Sequence, residues 1–150
     1  MSNKKVIAND IFFASVEELV AEGQSVEMTV KGFSMRPFLR NERDVVVLSP
    51  TSAEQLRCGM VVLFRHRGSH VLHRLVKIEA PRLTMEGDGN YRQAEVASTA
   101  DVVAYVSQVK VHKGPTIRYN SVGWRRRSAL SICRKRLRTL AIDIKRKLFK

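Results

Sequence analysis

The sequence predicts a mainly β fold: a compact, bent sheet or barrel with one helix before it and a basic amphipathic helix after it. Three observations carry this. Between residues 25 and 117 lie six short runs rich in Val, Leu and Ile, separated by turn residues. One helix-period stretch precedes them, and a second, strongly cationic one follows. At 150 residues, 44% of them hydrophobic, the chain is long enough to bury a core of its own.

Taken in order, residues 1–9 are polar. Asp10 is the expected N-cap of a helix over residues 10–22. Phe12, Val16, Leu19 and Val20 recur at helical spacing and are assigned to the core, while Glu17, Glu18 and Glu22 face away. Gly23 is the expected stop. The predicted strands are 25–31, 44–48, 60–65, 71–79, 82–86 and 102–112. Asn41-Glu42-Arg43, Ser49-Pro50-Thr51-Ser52, Gly68-Ser69, Ala80-Pro81 and Gly87-Asp88-Gly89-Asn90 punctuate them. Lys113-Gly114-Pro115 closes the β-run. Beyond Gly123, Leu130, Cys133, Leu137, Leu140, Ala141, Ile144 and Leu148 share one helical face, with a break expected near Ser128. The chain thus reads as a β-domain, 1–122, with a core over 25–117, and a tail, 123–150.

The formal charge of +13 is concentrated in that tail. From Trp124 to Lys150 there are eleven Lys/Arg and one acid, Asp143, leaving +3 for the other 123 residues. No apolar run approaches the roughly 20 residues that cross a bilayer, and no secretory signal opens the chain. The expected setting is the cytoplasm, including the inner face of its membrane. In that reducing compartment Cys58 and Cys133 are expected as small buried residues, not a disulfide.

Three groups bear chemistry. Ser34 lies in Gly32-Phe-Ser-Met-Arg-Pro37, a short irregular segment between two strands. Gly32 permits a sharp turn there, and Pro37 restrains its own backbone and that of Arg36. His73 lies in Val71-Leu-His-Arg-Leu75, where alternation puts Val71, His73 and Leu75 on one face. Burial there favours the neutral ring, which accepts a proton. Asp88 tops the Gly87-Asp-Gly-Asn90 turn, whose glycines allow close approach of another segment. Each has a plainer reading: a local turn serine, a structural histidine, an ordinary β-turn. Together they supply a nucleophile, a base and an orienting acid.

Lys31-Gly-Phe-Ser-Met-Arg-Pro-Phe-Leu39 followed by Asp44-Val-Val-Val-Leu48 resembles the nucleophile box of the signal-peptidase and LexA-type repressor clan of serine peptidases. Gly59-Met-Val-Val-Leu-Phe64 resembles the clan's next strand, and His73-Arg-Leu-Val76 the base box of its archaeal and endoplasmic-reticulum signal peptidases. Gly87-Asp-Gly-Asn90 resembles the glycine-aspartate-asparagine box. The likeness spans about residues 25–110. It implies Ser34 as nucleophile, His73 as general base and Asp88 as orienting acid, with Asp101 as second candidate. It also implies an oxyanion site at the Ser34 N–H, a substrate pocket around Gly32, Met35 and Pro37, and no cofactor or metal. Met60 and Ala104 stand where the clan often has aspartate and glycine. With too short an N-terminal stretch for a helix-turn-helix, the expectation is a peptidase acting on a peptide or protein precursor.

The alternatives are a non-catalytic peptide-binding module of the same fold, or a basic protein binding nucleic acid or a membrane surface. For the tail, three roles stay open: an anionic membrane, worth roughly 1 kcal/mol per Lys or Arg, nucleic acid, or docking on its own domain or a partner protein. Only Trp124 and Phe149 interleave with its charges, which disfavours single-stranded nucleic acid.

Overall fold

In the computed structural model, which describes residues 2–149 with side chains from Ile11 to Phe149, the chain is mostly β. Its elements are α1 (Ser2–Ala21), β1 (Val26–Thr29), β2 (Val45–Ser49), β3 (Val61–His66), β4 (Ser69–Glu79), β5 (Arg82–Glu86), β6 (Ala94–Ser98), β7 (Val102–Lys110), β8 (Thr116–Arg118) and α2 (Val122–Leu148). All strand pairs are antiparallel, in the order β1-β2-β7-β3-β4-β5-β6. Strand β8 pairs the far end of β7, past the residues that pair β3. Irregular registers at Val47/Leu48, Leu63/Phe64 and Leu75/Lys77 bend the sheet into a half-barrel.

Strand β3 is apolar without alternation because both its faces are covered. Val61 and Leu63 join a cluster with Val16, Val20, Phe38, Leu39, Val46, Leu48 and Val106. Val62 and Phe64 join a second cluster with Leu56, Met60, Leu75, Leu83 and Met85, inside the curl of β3 to β6. His73 lies beside Val62 in the β3–β4 register, so it belongs to this second face, as alternation with Val71 and Leu75 predicts.

The first helix starts earlier than the sequence suggests. Asp10, expected at its N-cap, lies within it. Phe12 is exposed; Phe13 faces inward and stacks on His70 at 4.5 Å between ring centroids. Glu17 does not face away but pairs with Arg65 across β3. The stop at Gly23 holds. Its φ of 86° lets Gly23 N–H bond Val20 O and Gln24 N–H bond Leu19 O, closing the helix end. Cys58 and Cys133 are exposed, not buried.

Strands β6 and β8 are absent from the sequence prediction. Ala94-Glu-Val-Ala-Ser98 is poor in strand formers, and its one β-branched residue, Val96, is exposed. It pairs because the β5 hairpin delivers it to a free edge. Helix α2 is unbroken through Ser128 and is capped by Ser121, whose Oγ accepts from Trp124 N–H. Nor is it a loose tail. Trp124 is 3% exposed, meets Phe38 edge-on at 4.9 Å and completes the first core cluster. No described helix is long and apolar enough to cross a membrane.

Two outcomes follow from the docking of α2. Trp124→Ala should cost about 3–5 kcal/mol of unfolding free energy, read from the denaturant midpoint; a shift within about 0.5 kcal/mol would mean that α2 is dispensable to the core. At the far end, hydrogen bonds from Arg92 and Tyr91 hold the Asp143 carboxyl down to about 2, against its ordinary 3.8. A depressed carboxyl stabilises above the ordinary value, and the contribution fades as pH falls toward the lowered one. Amide-exchange protection of residues 139–148 should therefore drop between pH 3.8 and about 2. Asp143→Asn should lower that protection at higher pH and erase the step.

Candidate active site

The segment carrying Ser34 is irregular, but hydrogen bonds anchor it both at its base and at Ser34 O. Val30 N–H bonds Asp44 O and Glu42 N–H bonds Val30 O, which close the loop at its base. Gly32 turns with φ 93°, and its N–H donates to Asn41 Oδ1 at 2.7 Å. The Arg36–Pro37 bond is cis. Past Ser34 the side chains of Met35, Phe38 and Leu39 are all at most 3% exposed. Asp44, fully buried, accepts from Arg40 N–H, His112 N–H and Arg127. Burial pushes its carboxyl up, but the hydrogen bonds from His112 and Arg40 outweigh that and leave it below the ordinary value. Ser34 is half-buried at the turn of this anchored loop.

The Gly87–Asn90 turn packs directly against it. Gly89 N–H donates to Ser34 O at 2.7 Å. A Cβ on Gly87 would stand 2.5 Å from Ser34 O and 3.0 Å from His73 Nε2, and one on Gly89 would stand 2.7 Å from Phe33 O. Both glycines are required by close approach, not by their backbone angles. The Ser34 carbonyl and the His73 ring thus lie within the sum of those two Gly87 distances of one another. The serine turn and the histidine ring flank the same glycine.

The acid is different from the one expected. His73 Nδ1 is 2.9 Å from Glu95 Oε2, with the two residues 4% and 9% exposed. A carboxylate only accepts, so Nδ1 is the donor in this bond, and in the neutral form of the ring that leaves the lone pair on Nε2. That nitrogen is the one beside Gly87 and the serine turn. Asp88 does not orient His73. Its two oxygens take Arg74 Nε at 2.8 Å and Arg74 Nη2 at 2.7 Å, and Oδ2 also accepts from Ser131 Oγ at 2.7 Å. Asp101 is committed to Ser98 N–H in the turn before β7.

Glu95 escaped sequence reading because β6 did. Once the hairpin register is known, Leu83 opposes Ala97 and Met85 opposes Glu95, so Glu95 must point inward with the core residues of β5. An acid at such a position needs a buried partner, and His73 is it.

The remaining expected site residues separate. Among the described residues Ser34 N–H makes no hydrogen bond, leaving a donor free beside the hydroxyl. The Gly32 N–H, by contrast, is occupied by Asn41. Met35 is a core residue whose sulfur lies 3.5 Å from Asp88 N. Pro37, with Phe33, walls a cavity of about 950 Å³ whose other side is Arg134 and Arg138 of α2. That space is cationic. Among the described residues Ser34 Oγ and His73 share no hydrogen bond, and no group of three or more His, Cys, Asp or Glu is placed to hold a metal ion.

No protein-family model matches the chain, and no curated protein matches it.

The division between the two acids is testable. Asp88→Ala strands Arg74, itself 2% exposed, and should cost about 3–5 kcal/mol of stability. Chemical denaturation reads this; a cost below about 1 kcal/mol would show that Arg74 finds other partners.

Proposed function

We propose that the protein is a serine endopeptidase, with Ser34 as nucleophile, His73 as general base and Glu95 as the acid that orients the base. The observation that carries this reading is the fixed ring of His73: Nδ1 is tied to a buried carboxylate, and Nε2 lies beside Gly87, against which the serine turn also packs. A hydroxyl attacks a carbonyl only as a base removes its proton, and the base must present a lone pair on the correct nitrogen. Ser34 Oγ would add to the scissile carbonyl while its proton passes to His73 Nε2. The Ser34 N–H would receive the developing oxyanion. On collapse, Nε2 returns the proton to the leaving amine, and water then repeats the sequence on the acyl-enzyme. Glu95 stabilises the imidazolium formed in between.

The resemblance of the four sequence boxes to the signal-peptidase and LexA-type clan supports the same reading, including the assignment of the curled sheet to that fold type. The proposed substrate is a peptide or protein precursor in extended conformation, paired along a strand edge. Strand β1, the edge leading into the serine loop, is available for this. A peptide-binding module without turnover is the second reading, favoured by the missing Ser34–His73 hydrogen bond, although catalytic contacts are often loose before substrate arrives.

Labelling with a fluorophosphonate, which reacts only with an activated serine, separates them. Mass mapping should place the adduct on Ser34, and Ser34→Ala should abolish it. His73→Ala should slow labelling by roughly 10⁴-fold or more, and Glu95→Gln by about 10²–10⁴-fold, with each variant still folded by circular dichroism. A folded native protein that takes no label at Ser34 ends the enzymatic reading and leaves the binding module.

A further inference from the structure

Helix α2 packs on the domain by the face that sequence would call its outside. The residues turned inward include Trp124, Ser128, Ser131, Lys135 and Thr139, with Ile132 and Ile142 half-buried beside them, and Trp124 is the one large apolar group among them that is fully buried. They are held by polar contacts. Ser131 reaches Asp88, Ser128 accepts from Arg74, and Lys135 Nζ bonds Glu86 and Gly87 O at 2.8 and 2.9 Å. The apolar stripe looks outward instead. Leu130 is 73% exposed, Leu137 63%, Leu140 56%, Ile144 48% and Leu148 74%. At 3.6 residues per turn these form one continuous band along about five turns. Arg134 and Lys145 border it on one side, Arg136 and Lys147 on the other, all exposed.

We propose that this outer face of α2 docks on an anionic lipid bilayer. Five Leu and Ile side chains on one rigid helix leave water only if something apolar receives them. The cations along both borders then require that the receiving surface be negative. An anionic leaflet meets both demands, with Leu and Ile entering the acyl boundary and Arg and Lys staying at the headgroups. A second copy of the chain meets only the first, because residues 124–150 carry a charge of +10 that a matching helix would repel. Nucleic acid meets only the second, since phosphates give the apolar band nothing. The inward face is already occupied, so the helix docks without leaving its domain. The serine loop is carried along, for Phe33 and Pro37 share a cavity with Arg134 and Arg138. The docking stands independently of the peptidase proposal.

The test is co-sedimentation of the full-length protein with vesicles of phosphatidylcholine alone and of phosphatidylcholine mixed equally with phosphatidylglycerol. Binding should appear with the anionic vesicles and weaken as salt rises. Leu137→Gln/Ile144→Gln keeps every charge and should weaken binding by roughly tenfold or more. Arg134→Gln/Lys145→Gln keeps the apolar band and should weaken it as well, with less salt dependence. All four side chains are exposed, so both double variants should melt like the native protein. Equal partitioning to neutral and anionic vesicles overturns the proposal. So does anionic binding untouched by Leu137→Gln/Ile144→Gln, which is adsorption by charge alone. Sedimentation of the native protein as a dimer that the same variant dissociates would assign the band to a second copy.

Discussion

The ion pair between Arg74 and Asp88 is the contact on which the rest of this structure hangs. Both side chains are nearly withdrawn from water, at 3% and 4% exposed. Burying two charges costs several kcal/mol each unless geometry and hydrogen bonds offset it. Here the guanidinium meets the carboxylate with two parallel bonds, donates further to Gly59 O and Ser128 Oγ, and lies 4.6 Å over the Phe38 ring. The carboxylate has Ser131 as its additional donor. Strand β4, the turn after β5, the serine loop and helix α2 are thereby fixed to one point. A pair so demanding tolerates one arrangement of these segments, which is what a site assembled from distant stretches of chain needs.

The same argument separates the two acids of the candidate site. Asp88 is consumed by holding segments together, and an acid saturated by Arg74 and Ser131 has nothing left for a histidine. Glu95 sits one hairpin further on and has His73 Nδ1. Strand β4 presents His73 and Arg74 in succession, so alternation sends them to opposite faces. One meets the inner carboxylate of β6, the other the turn beneath α2. Adjacent residues therefore serve two sites: Arg74 holds the scaffold, and His73 belongs to the candidate active site. The proposed base is then positioned by a strand and the proposed nucleophile by a loop that the scaffold pair clamps through Gly87 and Gly89.

Helix α2 inverts the usual relation between amphipathicity and packing. Globular helices turn their apolar stripe to the core. Here tryptophan alone joins a core cluster, and serines, a lysine and a threonine, with the half-buried Ile132 and Ile142 beside them, make the rest of the seat. The buried polar turn beneath the helix explains this. Asp88 and the carbonyls of Gly87 and Gly89 need donors, which Ser131, Lys135 and Arg138 supply. An apolar face laid on that turn would leave those acceptors unsatisfied. The leucines are left outside, framed by cations.

Much of the fold was legible locally. All six predicted strand segments bury at least one Val or Leu, Gly23 ends the first helix, and the Gly68 and Gly87–Asn90 turns end strands. Ser34 and His73 were legible as a turn serine and an inward histidine because each depends on its immediate neighbours. What composition and period could not decide was partnership. Glu95 acquires its role only when β6 is delivered to the edge of β5, and a strand of Ala, Glu and Ser carries no signal of that. Asp88 looked like the orienting acid until Arg74 and Ser131 arrived from 14 residues upstream and 43 downstream. The apolar face of α2 was plain in sequence, but its direction was not, because which side a helix turns inward is settled by the surface it meets. Local sequence determined the elements and the faces they offer; the tertiary structure decided which charge faces which, since long-range electrostatics and polar satisfaction exist only once the chain has closed on itself.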